Sequence, residues 1–185
     1  MEYRKTVRLK DGRACLLREA RAEDAEGVIA CFLKTHGETE QLSSYPDECT
    51  FTPESEGAFL AARAESVNAA EILAVVDGKI VGQAGLYPIR NLEKLRHRAG
   101  FGLSVEKAYW GLGIGRALTN AALECARRAG FRQVELEVIA GNEAATALYE
   151  SVGFTEYGRN PLGMHARGAG WQTVVLMRLD LEDPA

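Results

Sequence analysis

A chain of 185 residues, 46% hydrophobic and 26% charged, can bury a full core without disulfide or metal staples. Its 22 basic and 26 acidic residues leave a net charge of −4, which argues against nucleic acid as the main partner, because the phosphate backbone calls for clustered Lys and Arg. The longest apolar run, residues 28–33, is too short to cross a bilayer, the N-terminal MEYRKTVRLK lacks the apolar stretch of a signal peptide, and Cys15, Cys31, Cys49 and Cys125 show no paired spacing. A cytoplasmic protein with reduced thiols, no metal and no membrane partner is expected.

Residues 5–18 read as a hairpin, with Val7 and Leu9, then Cys15 and Leu17, around an Asp11-Gly12 turn. A helix over about 23–34 carries Val28 and Phe32 inward and ends before Gly37. A second starts after Thr52, with Pro53 at its first position and Phe59, Leu60 and Ala62 on its apolar side. Strands at 72–76 and 79–87 flank Asp77-Gly78, the strongest short hairpin signal in the chain. A strand over about 96–106 alternates, with Arg96, Arg98, Gly100, Gly102 and Ser104 on one face and His97, Ala99, Phe101, Leu103 and Val105 on the other, buried face. After Gly111, Gly113 and Gly115 comes a helix with Ile114, Leu118, Ala121, Ala122 and Cys125 on one stripe, closed by Gly130. A strand at 133–140, a short helix at 143–152 closed by Gly153, and two strands near 154–160 and 171–180 complete the order. No linker, low-complexity segment or repeat interrupts it, so residues 1–185 read as a single α+β domain whose mixed sheet is built largely from hairpins.

Gly111-Leu112-Gly113-Ile114-Gly115-Arg116 lies between a strand and a helix, where backbone N–H groups and the helix dipole can cradle a phosphate or pyrophosphate. A P-loop ends in Gly-Lys-Ser/Thr, whereas Gly115 is followed by Arg116-Ala117. A dinucleotide fingerprint needs Gly or Ala at its third position, which is Arg116 or Leu118 here. On these residues alone, a purely steric turn remains an alternative.

The run Trp110-Gly111-Leu112-Gly113-Ile114-Gly115-Arg116, with Val105 before it, resembles the acyl-CoA pyrophosphate loop of the GNAT superfamily of N-acyltransferases. That loop's pattern is Arg or Gln, two residues, Gly, one residue, Gly or Ala. The segment from Asn142 through Ala145 and Leu148-Tyr149 to Gly153-Phe154 is similar to the family's second motif: Asn, two residues, Ala, two residues, Leu-Tyr, three residues, Gly-Phe. Together the motifs are far more specific than either alone. The likeness extends to element order over roughly residues 14–180 and implies a mixed, mostly antiparallel central sheet flanked by helices. Trp110 stands where the pattern has Arg or Gln, so the loop contacts expected are those of backbone amides and glycines.

The resemblance implies acetyl-CoA as the acyl donor and a role for each matching residue. The backbone of Leu103 and Val105 pairs with the pantetheine arm, and an N–H near Val105 stabilises charge on the thioester oxygen. The amides of Leu112, Gly113, Ile114, Gly115 and Arg116 hold the pyrophosphate, and Asn142 bonds the cofactor arm. Tyr149, also against the cofactor, is the general acid for the departing thiolate, because a phenol is protonated at neutral pH. The base stays open between Glu38 and Glu40 in the loop after the first helix and Glu106 at the end of the central strand, with His97 a further candidate.

From 38 to 56 six acids (Glu38, Glu40, Asp47, Glu48, Glu54, Glu56) meet no Lys or Arg and are interleaved with Leu42, Tyr45, Pro46 and Phe51. That mixture suits a pocket rim attracting a cationic amine. Residues 158–171, with Arg159, His165 and Arg167, read as a long, mobile hairpin connection whose charge instead suits a substrate carboxylate. The acceptor is expected to be a small-molecule or peptide amine, acetylated by direct attack in a ternary complex. A non-catalytic acyl-CoA sensor and an interaction domain without cofactor affinity are the alternatives. Residues 171–180, with Trp171, Val174, Leu176 and Leu179, are the candidate contact for a homodimer.

Overall fold

A computed structural model describes residues 2–181: one eight-stranded sheet with four α-helices against its faces. The glycine-marked hairpins form as their turn residues require. β1 (Arg4–Arg8) and β2 (Ala14–Glu19) fold back at Gly12. β3 (Ala70–Val76) and β4 (Lys79–Pro88) turn at Asp77-Gly78, where φ values of 51° and 80° match the type I′ geometry such turns need. Between the hairpins, α1 (Ala25–Gly37) runs about a turn beyond its expected end. α2 (Pro53–Glu65) starts as expected, the Thr52 hydroxyl accepting from the Ser55 amide.

β5 (Arg98–Val105), α3 (Ile114–Arg128), β6 (Gln133–Ile139), α4 (Glu143–Ser151), β7 (Thr155–Ala166) and β8 (Gly170–Asp180) follow. The strand order is β1-β2-β3-β4-β5-β6-β8-β7, antiparallel except where α3 crosses over to make β5 and β6 parallel. That pair holds only at Arg98–Gln133, Ala99–Val134 and Gly100–Glu135, after which the strands diverge. One face of the sheet buries Ile72, Leu86, Ala99 and Phe101 beneath the predicted α3 stripe of Ile114, Leu118, Ala121, Ala122 and Cys125. The other packs Leu73 against Val28 of α1 and Leu60 of α2.

Two expectations need correction. On α2 only Leu60 of the expected trio is buried. Phe59 is 43% exposed beneath the Arg63 guanidinium, because the helix leans on the sheet along one narrow stripe. Residues 158–171 are no long connection: β7 and β8 pair to the Ala166–Gly170 turn, with register shifts after Glu156 and Asn160 absorbing the extra residues. Gly163 is needed there, since a Cβ would stand 2.5 Å from Val174. On β8, of the four apolar residues named as a candidate subunit contact, Val174 is buried in the fold, Leu176 and Leu179 are half-buried, and Trp171 is exposed beside His165.

Candidate active site

Where β5 and β6 part, a cleft of about 1290 Å³ opens between the sheet, the loop after α1 and the N-terminal ends of α3 and α4. The β5 backbone supplies one wall. The Glu106 amide bonds Val81 O, so by alternation Ser104 and Gly102 also address β4, whereas Leu103 and Val105 turn their N–H and C=O toward the side that β6 has vacated. These are the two residues the sequence motif singled out. Trp110 closes this edge in a way the motif did not foreshadow, its indole Nε1 donating to Val105 O at 2.7 Å.

The glycine loop supplies the next wall. Gly111 and Gly113 sit at φ 75° and 99°, in the left-handed region, and Gly113 is the N-cap of α3. The first intrahelical bond runs from Ala117 N to Gly113 O, so the N–H groups of Ile114, Gly115 and Arg116 have no carbonyl ahead of them. The first turn carries no acid to neutralise them. Arg116 adds a cation, its guanidinium held on Ser151 Oγ at 2.8 Å. Free amides, helix dipole and one arginine make a pocket for an anion such as a pyrophosphate.

α4 supplies the third wall. Asn142 caps it, Oδ1 accepting from Ala145 N at 3.2 Å, which leaves its amide NH2 as the group available to a ligand. Tyr149, 7% exposed, lies edge-on to Phe101 and Phe154, with ring centroids 6.2 and 5.8 Å away. Burial pushes its phenol up to about 12, so it enters the cleft as a proton donor.

The expected bases are scattered. Glu38 lines the cleft, but its carboxylate accepts from the Lys107 amide at 2.6 Å and faces Lys34. Glu40 is not among the lining residues and accepts from Tyr45 Oη instead. His97 sits in the turn before β5, outside the cleft. Glu106 is buried in a separate pocket against α1, paired with Lys79 at 2.7 Å. Lys79→Met strands that carboxylate, and we expect a loss of about 1–3 kcal/mol of stability in urea denaturation with kcat/KM unchanged.

A family model for the acetyltransferase (GNAT) family matches residues 26–154, from α1 to the turn that closes α4. The chain belongs to the GNAT acetyltransferase family. Among solved structures, a GNAT-family acetyltransferase from Streptococcus pneumoniae superposes with a TM-score of 0.87 at 30% identity, over 90% of this chain and 99% of that one. For yncA from Salmonella typhimurium, solved with its cofactor acetyl-CoA, the TM-score is 0.80 at 22% identity, over 92% and 96% of the two chains. N-alpha-acetyltransferase RimI of Mycobacterium tuberculosis is 37% identical over 108 residues, 58% of this chain and 64% of that protein. The chain spans less than two thirds of the length of the curated relatives it matches.

In this GNAT chain the cleft residues that sequence reasoning missed lie mostly on strands: Glu71 on β3, Gln83 on β4, Glu135 and Glu137 on β6, with His36 on α1. Period-two alternation puts these strand residues on one face, but which strands border the split is not a local property. Glu135 is held by Arg98, which keeps its carboxyl below the usual range, and it also accepts from Tyr157 Oη. His36 stacks on Phe32 with Nδ1 2.9 Å from Phe32 O, and burial lowers its imidazole.

The acidic segment does not line the GNAT cleft as expected. Of its six acids only Glu38 does so. Asp47 pairs with Arg167 at 2.8 Å, Glu48 caps Tyr45 N, and Glu56 is buried on α2. The basic residues of the last hairpin are likewise engaged: Arg159 pairs with Glu156, and Arg167 stacks on Tyr45 at 4.1 Å while its amide donates to Tyr45 Oη. This clamp ties the rim loop to the β7–β8 turn. Arg167→Ala loosens it, and we expect the amine KM to rise about 3–10-fold with kcat little changed, in steady-state kinetics.

Proposed function

We propose that this chain is an N-acetyltransferase that moves the acetyl group of acetyl-CoA directly to a primary amine, with both substrates bound together. The observation that carries the reading is the convergence in one cleft of the unpaired α3 amides, the open β5 edge and the buried Tyr149 phenol. The yncA structure, which shares the fold and is described with acetyl-CoA, supports the choice of donor.

When bound, acetyl-CoA supplies the acetyl group as an activated thioester. The amides of Gly113, Ile114, Gly115 and Arg116 take the pyrophosphate, with Leu112 contributing backbone to the same loop and Arg116 adding charge. Leu103 hydrogen-bonds the pantetheine arm through its outward backbone, joined by the Asn142 amide NH2, while Val105, whose carbonyl already accepts from Trp110 Nε1, faces the donor with its N–H. The Val105 N–H stabilises negative charge as it develops on the acyl oxygen. Tyr149 then donates its proton to the departing sulfur.

Charge is segregated to suit this division. Lys10, Lys107 and Arg116 lie around the glycine loop, and Glu71, Glu135 and Glu137 lie on the sheet beyond it, so an anionic donor and a cationic amine are drawn to opposite ends. Calorimetric titration with acetyl-CoA, using NADH and ATP as decoys, followed by thiol release with a primary-amine panel, tests the reading. Selective acetyl-CoA binding and amine-dependent thiol release are expected. Binding without turnover would favour a sensor, and the absence of binding by folded protein would sink both.

A further inference from the structure

Antiparallel register places Glu71, Gly85 and Gly102 side by side across β3, β4 and β5, on the face covered by α1 and α2. The two glycines make a groove. The Glu71 carboxylate lies over Gly85, where a Cβ would stand 3.1 Å from Oε2. Gly102 beyond it is open, with nothing within 4 Å of a Cβ position, and its neighbour Leu103 begins the exposed β5 edge. Tyr87 walls the groove by lying over Gly100, where a Cβ would meet the ring at 2.4 Å.

Glu38 and Glu135 are engaged by the Lys107 amide and by Arg98, and Glu137 is exposed across the split. The Glu71 backbone carbonyl accepts from the Ala20 amide, but its carboxylate has no hydrogen bond or ion pair among the described residues. Gln41 Oε1 and Gln83 Oε1 line the same cleft, buried and without a partner. Three acceptors lacking a protein donor suit an ammonium group, which brings three N–H bonds.

We propose that Glu71 is the catalytic base, receiving the acceptor as an ammonium ion and taking its proton; this rests on the acetyltransfer reading above. Glu71 breaks one N–H bond and becomes a carboxylic acid. The freed lone pair forms the N–C bond as the C–S bond breaks, and Tyr149 protonates the sulfur. The second nitrogen proton, lost as the amide forms, restores Tyr149, and Glu71 returns its proton to solvent.

The ionisable groups around Glu71 agree with this role. Burial raises its carboxyl to about 7, Arg63 on α2 pulls it down, and Glu56 on the same helix pushes it up. α1 contributes His36 to the cleft and β4 contributes Tyr87, while β5 presents glycines at this point. A base of that strength works near neutral pH.

The test is kcat/KM for acetyl-CoA-dependent acetylation of putrescine, lysine and an alanine-terminated peptide across pH, in wild type, Glu71→Gln and Gly102→Val. Glu71→Gln is expected to lose about 100-fold at neutral pH, the deficit shrinking as pH approaches the amine's own pKa. Acetyl-CoA affinity stays unchanged. Its melting temperature above neutral pH should rise, because a carboxyl raised by burial weakens the fold once ionised. Gly102→Val fills the groove without backbone strain, and a loss of about 10-fold through amine KM is expected even if Glu71→Gln fails to fold. Activity of either variant within about three-fold of wild type at every pH would overturn the assignment and leave the transferase reading standing. Failure of the wild type to acetylate any of the three amines would overturn that reading and this inference with it.

Discussion

Tyr149→Phe is expected to lower kcat by about 10²–10⁴-fold, the usual worth of a positioned proton donor, while acetyl-CoA affinity and melting temperature hold. The substitution removes one oxygen and nothing else. The ring is fixed by Phe101 and Phe154, contacts that phenylalanine keeps, and the hydroxyl has no hydrogen-bond partner among the described residues to strand. Because burial lifts the phenol to about 12, the wild-type rate should show no falling alkaline limb from this group in the usual assay range. The same upward shift gives the folded state a stability contribution that is full below the ordinary phenol pKa and lost as pH rises through about 12. Stopped-flow thiol release beside calorimetry separates the two outcomes. A variant that turns over like wild type would remove Tyr149 from the chemistry and leave it a core aromatic.

Gly113→Asp should abolish measurable acetyl-CoA binding, a loss of at least about 100-fold, from two effects that add. At φ 99° an L side chain is strained by about 1–2 kcal/mol. The new carboxylate also stands among the N–H groups proposed to hold the pyrophosphate and competes as an anion. Gly113→Ala separates the two, because nothing lies within 4 Å of a Cβ at this position and only the backbone strain remains. About a 10-fold loss is therefore expected for alanine, with the remainder for aspartate falling as salt is added. Unaltered binding by Gly113→Asp would place the donor elsewhere than at α3.

The elements that sequence reasoning located correctly share a local cause. Asp77-Gly78 makes a hairpin because the turn needs two positive φ values, and Gly113 ends a loop because α3 must begin there with its amides bare. The α3 stripe is written at helical period, and all five of its residues are buried as that period requires. Leu103 and Val105 came from the family resemblance and not from periodicity, and only the parting of β5 from β6 shows their backbone turned outward.

Charged side chains were legible only as composition. Six acids between 38 and 56 suggested a cationic rim ligand, yet Asp47 reaches Arg167 some 120 residues later and Glu40 serves Tyr45. No local rule foretells such pairings, since a charge is satisfied by whatever the fold brings within a few ångströms. The same holds for Glu71. Its place beside Gly85 and Gly102 depends on the register of three strands, and the groove they make depends on β5 and β6 parting after Gly100. The sequence by itself determined the helices, the hairpins and the glycine loop that opens α3, because backbone dihedrals and side-chain period are properties of neighbouring residues. Tertiary structure alone decided which carboxylates face the cleft, because that depends on which strands pair, in what register, and where the pairing ends.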